Sequence, residues 1–284
     1  MTGGTIRAKV FSVIVATLLT TALLLPLSCS PSPGGVIAGS SLISEIAEDL
    51  AEGKLEVQNL IPPGMCPGHY DMKPSDVEAL ANSKALLIHP WQQEKANITA
   101  LIQAADNPGL IVKVIAVKDN WMEPPLQAEA VEAIAQALGE IDPQNSALYQ
   151  QKAEDRLGAV QAKGEEAKDT LQESGVAGVK VLCDQQQAGF VKWAGFDLVA
   201  TYGRPEELSV ADMEQLVVQG REAGVALVID NLQSGGTANS ETMAQDIGAA
   251  QVTLSNFPGG FEGTETWGKT LDKNIDLLFE ALGR

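Results

Sequence analysis

The chain is poor in the side chains that most often carry chemistry. Its 284 residues hold three cysteines and two histidines, and aromatic rings make up 5% of it. Three cysteines exclude a disulfide scaffold. Positive charge is scarce too: 19 Lys and Arg stand against 37 Asp and Glu, a formal charge of -18. A surface this acidic repels phosphate backbones and argues against a nucleic-acid binder. The apolar run 10–25 is shorter than the about 20 residues that a membrane span needs. Apolar residues nevertheless make up 45% of the chain and charged residues 20%, ample for a packed core, so wholesale disorder is excluded.

That apolar run follows Arg7 and Lys9, and small residues follow it. A basic start, a short apolar middle and small residues read as a secretory signal. The segment Leu25-Pro26-Leu27-Ser28-Cys29 resembles a bacterial lipoprotein cleavage box, with Pro26 standing where Leu is usual. The resemblance implies a signal peptide over 1–28, acylation of Cys29, and a Ser/Pro/Gly tether over 29–35. The mature protein is then expected outside the cytoplasmic membrane, held there by its lipid, with Cys66 and Cys183 as its remaining thiols besides the acylated one.

Beyond the tether, short apolar runs alternate with segments of helical periodicity. Strands are expected at 36–39, 55–61, 85–88 and 110–117, with helices at 41–51, 75–81, 94–105 and 125–138 between and after them. Ser75 reads as a helix cap and Gly139 as a helix stop. From 143 to about 173 no strand signal occurs, and Ala, Gln, Glu and Lys predict one long helix. The alternation then resumes, with strands at 180–183, 196–202, 226–230 and 251–254 and a closing helix at 265–282. Strands separated by helices imply parallel sheets. The expected fold is α/β, with two parallel-sheet lobes, 36–141 and 175–284, joined by a single inter-lobe helix over 142–174. Ligands of such sheets bind beyond the carboxyl ends of the strands, so the ligand is expected in a cleft between the lobes.

The loops after the strands hold both histidines and both mature cysteines: Cys66 and His69 in a Pro/Gly-rich loop, His89, and Cys183. Asp119, Asp184, Asp230 and Ser255 also follow strands, as do Trp91, Trp121 and Phe257. Cys66-x-x-His69 can turn a thiolate and an imidazole toward one metal. Cys66, His69, His89, Asp119, Cys183 and Asp184 are therefore the candidate metal ligands, and Trp91, Trp121, Asp230 and Ser255 the candidate cleft lining. A Cys–His nucleophile pair lacks an orienting third residue, and no Gly-rich phosphate loop follows a strand, so an enzyme is not expected.

The text Pro62-Pro63-Gly64, then Pro67-Gly68-His69-Tyr70, then Pro74-Ser75-Asp76, with Asp142-Pro143 and Tyr149 opening the long helix, resembles the zinc/manganese solute-binding receptors of ABC transporters. The resemblance implies a monomeric receptor that captures a divalent metal between its lobes and delivers it to an ABC permease. It also implies a ligand set that this chain alters. The family's first histidine falls on Gly68, the second on Asp119, the third position near Asp184 and the last near Ser255. A softer site built on Cys66, His69 and Cys183 suits zinc, or copper(I), better than manganese. The alternative cargo on the same scaffold is a corrinoid or an iron chelate, held by Trp91, Trp121 and Phe257.

Overall fold

Short aliphatic strands and amphipathic helices alternate through the chain, and their order sets the architecture. The computed structural model describes residues 34–284; the leader and Cys29 lie outside the described residues. Strand β1 (Val36–Ala38) leads into α1 (Ser41–Ala51), then β2 (Val57–Asn59), α2 (Pro74–Ala81), β3 (Ala85–Ile88), α3 (Ala96–Ala105), β4 (Ile111–Val114) and α4 (Pro124–Ile141). All pairings are parallel, in the order β2-β1-β3-β4. Helix α1 forms where the sequence predicts it. Ser40 accepts a hydrogen bond from Ile43 N, and Leu42, Ile43, Ile46, Ala47 and Leu50 are all buried. This is the stripe that a 3.6-residue period places against a core.

The second lobe repeats the plan. Strands β5 (Lys180–Asp184), β6 (Asp197–Tyr202), β7 (Leu227–Asn231) and β8 (Ala250–Leu254) alternate with α6 (Ala188–Ala194), α7 (Val210–Ala223) and α8 (Ala238–Ile247), and α9 (Trp267–Ala281) closes the chain. The sheet is again parallel, in the order β6-β5-β7-β8. One continuous core joins the lobes: Val36 and Leu87 of the first sheet and Val181 and Ile229 of the second share it with Trp121, Tyr149 and Trp267.

Between the sheets runs α5 (Ser146–Glu173), 28 residues long, or about 42 Å. It buries Tyr149, Ala153, Val160, Gly164, Ala167 and Leu171, a single stripe along its length. Its polar face is tied to both lobes. Lys152 pairs with Glu52, and Arg156 with Glu45 and Asp49, while Lys163 pairs with Asp272 of α9. At its start Asp142 accepts hydrogen bonds from Asn145 Nδ2 and Tyr149 Oη, each at 2.6 Å. Burial works against the Asp142 charge, yet these two bonds and the nearby Lys84 hold its carboxyl below the usual carboxylate range. The Asp-Pro and Tyr of the sequence are thus one latch at the entry to α5. Among the described residues no helix is long and apolar enough to cross a membrane.

Two local expectations fail for identifiable reasons. Helix α2 is capped at Lys73, not Ser75. Pro74 takes the first helical position, and the Asp76 carboxylate accepts from Lys73 N at 2.8 Å and Tyr70 Oη at 3.0 Å. Gly139 does not stop α4, which runs on to Ile141. A Cβ on Gly139 would lie 2.7 Å from Ser146 Oγ, so the glycine serves the close approach of α4 and α5 rather than a turn. Gly164 does the same from the other helix, since its Cβ would lie 2.7 Å from Pro124 Cβ. Gly164→Leu is expected to cost about 1–3 kcal/mol by forcing the two helices apart. A urea midpoint equal to that of the wild type would refute this tight fit.

Candidate functional site

The carboxyl ends of the two sheets face each other, and the loops there are in direct contact. Ser41 Oγ, after β1, donates to Pro258 O at 2.7 Å. Gln233 Nε2, after β7, donates to Pro63 O at 2.8 Å. Asn120 Nδ2, ahead of α4, reaches Gln186 O at 3.0 Å and Asn256 Oδ1 at 2.8 Å. These bonds form a polar seam between the lobes, with the candidate residues distributed around it.

His89 is buried in an aromatic box and is not set among metal ligands. Its ring stacks on Trp91 at 5.2 Å and lies 4.3 Å from Trp121 and 6.4 Å from Phe257 of the opposite lobe. Its Nε2 is 2.7 Å from Ser40 Oγ. Burial pushes the imidazole down to about 3, so it is neutral at physiological pH. Trp121 is buried beneath it, and its carbonyl accepts from Trp267 Nε1 at 3.0 Å. Trp91 is 42% exposed and is the ring of this group that faces solvent.

Cys183 packs into the core. It is fully buried within the continuous core, and burial pushes its thiol up to about 12, which disfavours the thiolate that a metal needs. Cys66 and Cys183 are both free. Cys66 is buried and precedes a short 3-10 turn, Pro67–His69. His69 points outward, with its side chain 61% exposed and its Nε2 3.5 Å from Glu206 Oε1. Asp119 is exposed and left-handed, at φ 61. The three-residue soft cluster is therefore not assembled. Among the described residues no three His, Cys, Asp or Glu side chains converge on a common point.

The carboxylates of the second lobe are better placed. Asp184 ends β5 and is buried. Its Oδ1 accepts from Gln186 N at 2.7 Å, while Oδ2 has no partner. Burial pushes its carboxyl up to about 6, and the neighbouring Asp230 adds to the rise against the bond from Gln186 N and the charge of Arg204. Asp230 is satisfied: it accepts from Asn231 N at 2.8 Å and from Ser240 Oγ at 2.6 Å. Burial raises its carboxyl as well. Ser255 accepts from Gln233 Nε2 at 3.0 Å and donates to Phe257 O at 2.9 Å, so it shapes the seam rather than lining open space. Gln187 Oε1, one turn beyond Asp184, is a second buried acceptor without a partner. A buried oxygen left unpaired is costly, and a cation is one group that satisfies it.

Sequence reasoning missed Ser40, Ser41, Asn120, Arg204 and Gln233. A signal existed for all five. Ser40 and Ser41 follow β1, Asn120 follows β4, Arg204 follows β6 and Gln233 follows β7, so the strand-end rule extended to those loops finds them.

Comparison with known proteins gives a consistent result. The family model described as zinc-uptake complex component A, periplasmic, matches residues 36–281. A Thermotoga maritima protein to which metal binding is ascribed is 23% identical over 251 residues, 85% of this chain and 88% of its own length. The Mn-bound periplasmic metal binding protein of Candidatus Liberibacter asiaticus has a TM-score of 0.73 at 15% identity, covering 87% of this chain and 98% of that one. A crystal structure of ZnuA gives a TM-score of 0.72 at 20% identity, covering 88% of this chain and 99% of that one. The two structural likenesses bear on the fold alone.

Proposed function

Because the chain belongs to the family of periplasmic zinc-uptake components, we propose that it is an extracytoplasmic receptor that takes a transition metal into the inter-lobe cleft and hands it to an ABC permease. The observation that carries this reading is Asp184, a buried carboxylate at a strand end with one oxygen unpartnered. Cys66, on the Pro/Gly loop of the other lobe, is the donor proposed to face it. Zinc is the cargo proposed first, because it accepts carboxylate and thiolate alike. The lobes act as a clamp whose closed form is favoured by cargo contacts on both sides. In this proposal Cys29 carries the lipid anchor and the receptor works as a monomer.

The test is metal analysis of the mature protein, purified under reducing conditions without a polyhistidine tag, followed by titration. One zinc per chain is expected. Asp184→Asn is expected to weaken binding by about tenfold or more, a loss of about 1.4 kcal/mol or more. Because metal displaces protons, affinity is expected to rise as pH passes upward through about 6, where Asp184 ionises. Wild-type affinity in Asp184→Asn would remove Asp184 from the site.

A further inference from the structure

The longest strand among the described residues is also an outer one. β6 has six residues and stands at the end of its sheet, so one of its two main-chain edges has no strand beside it among those residues. Outer strands are usually blunted by shortness, Lys, Pro or a bulge. The other outer strands, β2, β4 and β8, are three to five residues long, and β4 carries Lys113. β6 contains neither Lys nor Pro. Its pairing shifts register opposite Val181 and Leu182, and beyond that shift residues 200–202 run in step with 182–184. This later half of β6 is a regular, open edge.

A groove of about 360 Å³ lies along that half, between β6 and α7. Tyr202, Leu208 and Leu216 give it an apolar base, and the charged residues that line it are both acidic, Glu207 and Asp212. Neither is in an ion pair among the described residues. Asp212 accepts from Ser209 Oγ at 2.6 Å, a bond that holds its carboxyl below the usual carboxylate range. Arg204, close by in sequence, sets its guanidinium against Gly68 of the first lobe instead. None of the groove residues takes part in the seam between the lobes.

An open strand edge accepts another extended chain. Main-chain bonds supply affinity, and every second side chain of the incoming strand enters the groove. A long basic side chain suits both parts of this groove, with its aliphatic stem on Leu208 and Leu216 and its charge at the carboxylates. A second copy of this chain suits it poorly, because it brings the same acidic edge.

We infer that the groove receives an extended segment of a partner protein, which adds a strand to the open edge of β6 and lays a Lys or Arg side chain along α7 to Glu207 and Asp212.

The test is titration of the mature protein with synthetic peptides of about six residues, Lys alternating with Val. Fluorescence anisotropy reads affinity, and amide hydrogen exchange reads location. Saturable binding is expected, with exchange slowed within residues 200–202. Replacing Lys by Glu, or methylating alternate peptide nitrogens, is expected to weaken binding by about tenfold or more. The double variant Gln215→Lys/Gln219→Lys puts positive charge on the α7 wall of the groove. It is expected to weaken binding of the Lys peptide by about tenfold or more, with its melting temperature unchanged. Val218→Lys, at an exposed position of α7 outside the groove, is expected to bind as the wild type does. No saturable binding of the Lys peptide would overturn the inference. Equal binding of the methylated peptide, or of spermidine at the same place, would mark a site that reads charge alone and would also overturn it. Self-association of the protein that by itself slows exchange at 200–202 would assign the edge to a second copy, with the same consequence.

Discussion

Trp121→Ala is expected to lower the free energy of unfolding by about 3–5 kcal/mol. The indole is buried, packs 4.3 Å from the His89 ring, and donates from Nε1 to Val117 O at 3.3 Å. Its backbone carbonyl receives Trp267 Nε1, at the first turn of α9. Truncation leaves a large cavity in the core that both lobes share, and rigid elements on either side limit collapse. Urea denaturation followed by circular dichroism checks this. A loss below about 1 kcal/mol would mean that the site collapses freely and that the lobes do not depend on a common core.

Acid is expected to destabilise the protein through His89. Its imidazole titrates at about 3 in the native protein, against about 6.5 when unfolded. Below pH 6.5 the unfolded chain therefore binds a proton that the native state refuses. Stability is full above about pH 6.5 and falls as pH drops toward 3, by about 1.4 kcal/mol per pH unit across the window. Asp184, raised to about 6, acts in the opposite sense and costs stability as pH rises through that value. The difference between wild type and His89→Gln isolates the histidine. The wild-type stability curve is expected to be steeper below pH 6.5, and equal slopes would show that the box admits the charged ring.

The fold was legible because its signals are local and repeated. The stripe of α1 places five apolar residues on one face, and 28 residues without a strand signal became α5. Gly139 misled because a glycine that ends a helix and one that lets two helices touch look identical in a sequence. The site was legible only by location. Strand-end placement found Asp184, His89 and Cys183, but a strand end can turn its side chain into the cleft or into the core. Cys183 went to the core, and His89 went into a box of rings from both lobes. His69 turned outward to Glu206.

The seam between the lobes has an evolutionary corollary. Its bonds run mostly from side chains to main-chain carbonyls: Ser41 to Pro258, Gln233 to Pro63 and Asn120 to Gln186. A carbonyl is offered by any residue, so positions 63, 186 and 258 can drift without unmaking these contacts. The burden of inheritance falls on the donors, Ser41, Asn120 and Gln233. Two lineages with this seam can thus diverge at the carbonyl positions while the docking of the lobes stays the same.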